Sequence, residues 1–357
     1  MAALEFKAHL SNLKSQLMRF LSHSLVIMGL TSALFCGINS AHAESIAQLK
    51  VLCLKDNATA CYNLGVSYDN GDGVEQSDQR AYEYYTKACD LDEGSACNNL
   101  GLMYYNAQGI EQDYAKAAEL FEKGCSLNDA LSCNSLGMIY DSGVGVKLDD
   151  AQAVQYYQKG CELNSGLACR NLGMMYDEGE GVTLDDAKAI EFYRKGCDLE
   201  DSDACHNLAL MYDNGEGTAE DDVTANKYYL KGCELNSAAS CHNLAMSYNT
   251  GEGVEQSAAQ ANKYFAKSCD LGNGDACVGL GLNYERGAGV EKSYKEATEL
   301  YKRGCDLESS VGCYNLGAAY INGDGVRQND ELGKKYFGKA CDLGDQDGCD
   351  IYAELTR

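Results

Sequence analysis

Eighteen of the nineteen cysteines in the chain stand in pairs with seven residues between partners, a spacing to be weighed between metal binding and disulfide cross-linking. The pairs are Cys53/Cys61, Cys89/Cys97, Cys125/Cys133, Cys161/Cys169, Cys197/Cys205, Cys233/Cys241, Cys269/Cys277, Cys305/Cys313 and Cys341/Cys349, each beginning 36 residues after the last. Zinc ligands usually come in fours, with two to four residues between paired cysteines. Seven intervening residues and only five histidines argue against a metal, so the pairs are read as disulfides and no cofactor is expected.

Other reactive types are sparse. His206 and His242 occupy the same register one repeat apart, which could make a metal-binding or pH-sensitive pair. The same register holds Tyr62, Asn98, Asn134, Arg170, Val278 and Tyr314 elsewhere, so a variable position is the preferred reading. Asp185/Asp186 and Asp221/Asp222 could pair as acid and base, yet both stand at helix starts, where capping explains them. A row of amides is more suggestive: Asn63, Asn99, Asn171, Asn207, Asn243 and Asn315 share one register, with Ser135 and Gly279 as departures. Each amide offers two donors and an acceptor, so such a row can pair with an extended peptide backbone of any sequence, or else tie adjacent repeats together. Residues two and three beyond the neighbouring leucine vary (Val66-Ser67, Leu102-Met103, Ala318-Ala319), as expected of a face that selects a ligand.

The elements that position these residues follow from the period. A fixed 36-residue repeat without insertions indicates stacked supersecondary units. Cys169, Leu172, Gly173 and Tyr176 lie at i, i+3, i+4 and i+7, one face of a first helix, helix A. Ala189, Phe192, Tyr193 and Gly196 do the same for a second, helix B. Gly179-Glu180-Gly181 turns the chain between them. The leucines from Leu64 to Leu316 and the aromatic series from Tyr85 to Phe337 would form one continuous core, with small residues such as Gly65, Gly173 and Ala209 permitting close helix approach. In each cysteine pair the first would then end helix B and the second begin the next helix A.

Residues 1–43 lack the repeat and carry Lys7, Lys14 and Arg19, an apolar run from Leu25 to Gly37, and Ala41-His42-Ala43. That order reads as a secretory signal peptide cleaved after Ala43, which places the mature chain in the periplasm or outside the cell. Cleavage removes Cys36, the unpaired cysteine; a lipid anchor there would want a small residue where Phe35 stands. No later segment is apolar enough to span a bilayer. With 29 Lys plus Arg against 54 Asp plus Glu, nucleic acid is excluded as a partner, since phosphate recognition needs clustered positive charge.

The pattern Asn171-Leu172-Gly173 through Tyr176 to Gly179-Glu180-Gly181-Val182, followed by Tyr193-Arg194-Lys195-Gly196-Cys197, resembles the Sel1-like repeat, a relative of the tetratricopeptide repeat. With a cysteine pair in every unit on an exported chain, it is similar to the Helicobacter cysteine-rich proteins. The resemblance covers residues 53–357 and implies an all-α, right-handed superhelix of αα-hairpins with a concave surface, each hairpin closed by a disulfide. It also implies two alternative functions. One is a secreted scaffold that binds a protein or peptide of the host or the cell envelope. The other is a weak β-lactamase or penicillin-binding protein. The residues give the second little support: Ser11-Asn12-Leu13-Lys14, the S-x-x-K match, lies in the leader, and no K-T-G follows. The expected organisation is a leader at 1–43, a partial repeat or cap at 44–59, eight repeats at 60–347 and a terminal cap at 348–357.

Overall fold

The computed structural model describes residues 45–357, so the leader and Cys36 lie outside the described residues. Among the described residues there are eighteen α-helices and no strand, the all-α hairpin array expected from the repeat. They fall into two compact units that divide between Asp149 and Asp150. The first contains α1 (Ile46–Cys53), α2 (Ala58–Asn70), α3 (Asp78–Asp90), α4 (Gly94–Asn106), α5 (Tyr114–Ser126) and α6 (Ala130–Ser142). The second contains α7 (Asp150–Glu162), α8 (Gly166–Glu178), α9 (Asp186–Asp198), α10 (Ser202–Asn214), α11 (Asp222–Glu234) and α12 (Ala238–Thr250). It continues with α13 (Ala258–Asp270), α14 (Gly274–Arg286), α15 (Tyr294–Asp306), α16 (Ser310–Asn322), α17 (Asp330–Asp342) and α18 (Gln346–Glu354). Even-numbered helices are of type A and odd-numbered ones of type B.

Local chemistry sets the boundaries. Asp185 accepts a hydrogen bond from the Lys188 amide to cap α9, and Asp221 accepts from the Thr224 amide and hydroxyl to cap α11. Asp186 and Asp222 are the first helical residues, where a carboxylate opposes the helix dipole. The paired aspartates therefore act in capping. At the other end of α8, Gly179 takes φ 72° and stops the helix, and Gly181 follows at φ 68°. A Cβ on Gly181 would lie 2.5 Å from the carbonyl carbon of Asp150, so this loop rests directly on the first turn of α7. Glycine there serves both a left-handed backbone and a close approach.

Packing within each unit repeats the same contact. The helix B aromatics are fully covered, with Tyr85, Phe121, Tyr193 and Tyr229 each 1% exposed. Each Tyr or Phe removes about 150–250 Å² from water, worth roughly 4–6 kcal/mol at 25 cal/mol per Å². Room for the ring comes from the small residue on helix A: a Cβ on Gly173 would meet Cδ1 of Tyr193 at 2.6 Å. The core is built in segments. Ala189, Ile190, Tyr193, Leu208 and Met211 form one cluster, and Ala209, Ala225, Tyr229 and Leu244 form another. Tyr212 and Tyr228, stacked with centroids 5.8 Å apart, pack against both and join them.

All nine expected cysteine pairs are disulfides. In the first unit Cys53–Cys61, Cys89–Cys97 and Cys125–Cys133 have Cα–Cα distances of 4.8, 4.7 and 4.6 Å. In the second, Cys161–Cys169, Cys197–Cys205 and Cys233–Cys241 span 4.6, 4.5 and 4.6 Å. Cys269–Cys277, Cys305–Cys313 and Cys341–Cys349 span 4.8, 4.4 and 4.5 Å. Each bond joins a helix B to the following helix A across a corner of three or four residues, as Cys197 of α9 does to Cys205 of α10.

The second cysteines sit deeper than the expectation that they begin helix A. Cys61, Cys97, Cys133, Cys169, Cys205, Cys241, Cys277, Cys313 and Cys349 are each the fourth residue of their helix. The reason is the capping turn, which takes up the first three positions and leaves the fourth to face back across the corner. From Cys61 to Cys313 these second cysteines are fully buried, and Cys349 in the terminal α18 is half-buried. Closing a loop of about nine residues contributes roughly 2.6 kcal/mol on the chain-entropy estimate.

A second tie holds the same corner. Lys87, Lys123 and Lys339 donate to the carbonyls of Cys53, Cys89 and Cys305 at 2.7, 2.6 and 2.8 Å. Arg303 does the same to Cys269 at 3.0 Å. A cation thus neutralises the carbonyl end of the preceding helix B. The signal is present in sequence as a Lys or Arg two residues before the first cysteine of each pair from Cys89 to Cys341.

Candidate ligand-binding face

The outward face of helix A carries the amide row beside a second row. Three residues beyond each Asn stands Val66, Leu102, Met174, Leu210, Met246 or Ala318, with Met138 and Leu282 following Ser135 and Gly279. Residues three apart on a helix are surface neighbours. These apolar side chains are half-buried, and Met246 is 42% exposed. This position, two beyond the leucine, is accessible and uniformly apolar.

The position three beyond the leucine is different, and the expectation that it faces a ligand is corrected. Met103, Ile139, Met175, Met211, Ser247, Asn283 and Ala319 are buried, and only Ser67 in the first repeat is half-buried. The reason is geometric: it lies one residue past the accessible row, which rotates it by 100° toward helix B. Its variation reflects local core packing. Asn283, for example, donates to Asn262 Oδ1 at 2.7 Å, and Asn262 donates in turn to the Ala288 carbonyl at 2.8 Å.

The Asn row itself is mostly half-buried. Asn63 is exposed, while Asn99, Asn171, Asn207, Asn243 and Asn315 are half-buried. Asn99, Asn207 and Asn243 each oppose the rise in pKa of the tyrosine 14 residues earlier, Tyr85, Tyr193 and Tyr229. The hydroxyls of these tyrosines donate to carboxylates of the preceding helix A: Tyr85 to Asp69 at 3.1 Å, Tyr193 to Asp177 at 3.1 Å and Tyr229 to Asp213 at 3.0 Å. Tyr301 donates to Glu285 at 2.6 Å. Burial, reinforced by the neighbouring carboxylates, pushes all four phenols well above their ordinary range. Burial also raises Asp177, against the stabilising bond from Tyr193.

The departures in the Asn row fall where the preceding helix B aromatic is phenylalanine. Tyr85, Tyr157, Tyr193, Tyr229 and Tyr301 are followed 14 residues later by Asn99, Asn171, Asn207, Asn243 and Asn315. Phe121 and Phe265 are followed by Ser135 and Gly279, and 16 residues before them stand Tyr105 and Asn249 where the tyrosine repeats have an acid. At both phenylalanines the hydroxyl, the amide and the acid are absent together, whereas Asn63 stands 14 residues after Leu49. This correlation is legible in sequence.

The histidines serve the core edge. His206 packs on the Tyr229 ring with centroids 5.8 Å apart, and His242 on Phe265 at 5.7 Å. Tyr62 and Tyr314 pack equivalently on Tyr85 and Phe337. His206 Nδ1 faces the Ser240 hydroxyl at 3.4 Å. Burial lowers the pKa of both imidazoles. Among the described residues, no group of three or more His, Cys, Asp or Glu side chains is placed to hold a metal ion. The Ser11/Lys14 match lies outside the described residues.

Stacked antiparallel helix pairs with a shared register and local cores define a tetratricopeptide-like repeat scaffold. The Sel1 repeat family matches residues 58–93, 94–129, 130–165, 166–201, 202–237, 238–273, 274–309 and 310–345, and the chain belongs to it. In that register each disulfide flanked by two repeats crosses from one to the next. Among solved structures, the chain is similar to the protective antigen c5321 of uropathogenic Escherichia coli, described as displaying an SLR fold. That match is 29% identical over 87% of this chain and 67% of that one, with a TM-score of 0.71. A Sel1 repeat protein from Oxalobacter formigenes shares the fold at 19% identity, over 88% of this chain and 91% of that one, with a TM-score of 0.64. Cysteine-rich protein B of Helicobacter pylori is 35% identical over 36% of this chain and 94% of that one, with a TM-score of 0.32. No curated protein matches the chain.

Proposed function

We propose that the protein is an exported scaffold that holds an extended protein segment against the outward face of its A helices. The observation that carries this reading is the accessible apolar row in the second unit, Met174, Leu210, Met246 and Leu282, running beside Asn171, Asn207 and Asn243. Apolar side chains kept half-exposed at one register through successive repeats are suited to take side chains of a partner, and methionine adapts to varied shapes. Adjacent packed helices lie about 8–10 Å apart, and an extended strand advances about 3.3 Å per residue. The matching ligand therefore presents an apolar residue at every third position. The net charge of −25 favours a segment that also carries Lys or Arg. Nine disulfides suit an oxidising compartment, and no described helix is long and apolar enough to cross a membrane.

An arrayed library of extended peptides, probed with the oxidised protein, tests the proposal. Retention should favour basic peptides with apolar residues at every third position and should fall at least tenfold for the Met174→Glu/Met246→Glu variant. Equal retention by the variant, or no retained peptide, overturns it.

A further inference from the structure

We propose that a cleft beside helix α9 binds a small organic carboxylate, held by Lys195 and Arg194 against an apolar wall. This site is separate from the outward face of the A helices and does not rest on the peptide-binding reading.

The cleft has a volume of about 640 Å³ and lies between α9 and the corner that follows α7. Ala187, Ile190 and Leu199 give it an apolar lining, and Asn164 stands on the corner. Arg194 and Lys195 bring two adjacent positive charges. Two carboxylates also line the cleft, Glu191 and Asp198. Lys231 already pairs with Asp198 at 2.9 Å, and Glu191 forms no ion pair among the described residues.

Lys195 is an exception in its register. In the first unit the equivalent lysines meet a carboxylate across the corner: Lys87 pairs with Asp56 at 2.9 Å and Lys123 with Asp92 at 3.3 Å. The residue at the same place relative to Lys195 is Asn164, whose amide carries no charge. Lys267 faces the same replacement, Asn236, but donates to the Cys233 carbonyl at 2.5 Å instead. Lys195 makes neither bond and has no side-chain partner among the described residues. Arg194 Nη2 donates to the Tyr212 hydroxyl at 2.7 Å, a neutral partner that leaves the guanidinium charge uncompensated.

The corners that keep the acid indicate the ligand chemistry. A carboxylate fits opposite a lysine of this register, as Asp56 and Asp92 do, and at Lys195 the chain supplies none. Hydrogen bonds from a cationic donor to an ionised acceptor are the strong ones, and the apolar lining favours a ligand with an apolar body. A free carboxylic acid with a short alkyl chain and a peptide C-terminus with an apolar last residue share this chemistry.

Calorimetric titration of the oxidised protein with hexanoate and hexanamide, and with N-acetyl-alanyl-leucine as free acid and as amide, tests the site. At least one acid should bind saturably, in about the millimolar range, and its amide should not. Tighter binding of the dipeptide acid assigns the site to peptide ends; equal or tighter binding of hexanoate assigns it to free acids. Arg194→Gln/Lys195→Gln should weaken binding about tenfold or more. Both side chains lie outside the core, and glutamine already occupies the Arg194 register at 158. Asn164→Asp restores the acid found at 56 and 92, leaves both cations in place and should weaken binding by a similar factor. The backbone there accepts aspartate, since Asp56 and Asp92 take φ 61° and 63° against 67° for Asn164. No binding of either acid, amides that bind as tightly as the acids, or undiminished binding by either variant overturns the proposal.

Discussion

The ring of Tyr193 occupies the space a side chain on Gly173 would need, since a Cβ there would meet Cδ1 of the ring at 2.6 Å. Alanine would gain roughly 0.5–1 kcal/mol in helix propensity, but overpacking a filled core costs about 1–3 kcal/mol. Gly173→Ala should therefore lower the thermal midpoint by a few degrees, and a midpoint at or above that of the parent would contradict the packing argument.

The cysteine pairs predict local rather than uniform loss. Removing one bond with Cys197→Ser/Cys205→Ser should cost about 2–3 kcal/mol, concentrated at the corner between α9 and α10. Hydrogen exchange is the suitable measurement. Faster exchange there, with distant repeats of the second unit unchanged, is expected; uniform acceleration along the array would count against quasi-independent repeats.

Asn226 and Asn262 occupy the same register and make the same bond, donating to the carbonyls of Glu252 and Ala288 at 2.8 Å. Asn262 also receives Asn283, whereas Asn226 Oδ1 is buried without a partner because Ser247 stands at the equivalent place. Ser247→Asn should supply the missing donor and stabilise by about 1 kcal/mol, a rise of about 2–4 °C in the thermal midpoint. A lower midpoint would show that the two sites are not equivalent.

The pH dependence has two limbs. Burial raises the pKa of Tyr85, Tyr193, Tyr229 and Tyr301, so above about pH 10 the unfolded chain releases protons that the folded chain keeps. Stability is full below that point and falls as pH rises; Tyr193→Phe should make the alkaline decline shallower.

Burial lowers the pKa of His206 and His242, which reverses the sign. Below about pH 6.5 the unfolded chain takes up protons that the folded chain refuses, so their contribution is complete above pH 6.5 and declines as pH falls. His206→Asn/His242→Asn, using the residue found at positions 98 and 134, should flatten the decline just below pH 6.5. An unchanged slope would mean that the imidazoles are solvated.

The sequence by itself determined the unit, the helices within it and the pairing of its cysteines. A 36-residue period, apolar spacing of 3.6 residues, glycine turns and acidic caps are all local signals, and eighteen cysteines at one spacing form local disulfides. The covered aromatic stripe and the capping role of Asp185 and Asp221 were legible for the same reason. What the tertiary structure decided was which side of helix A meets water. One residue, or 100° of rotation, separates the accessible Met174 from the buried Met175, and composition does not distinguish them. It also decided which groups meet the tyrosine hydroxyls. Tyr193 and Asp177 lie 16 residues apart on two different helices, and only the packing of those helices brings the hydroxyl to the carboxylate.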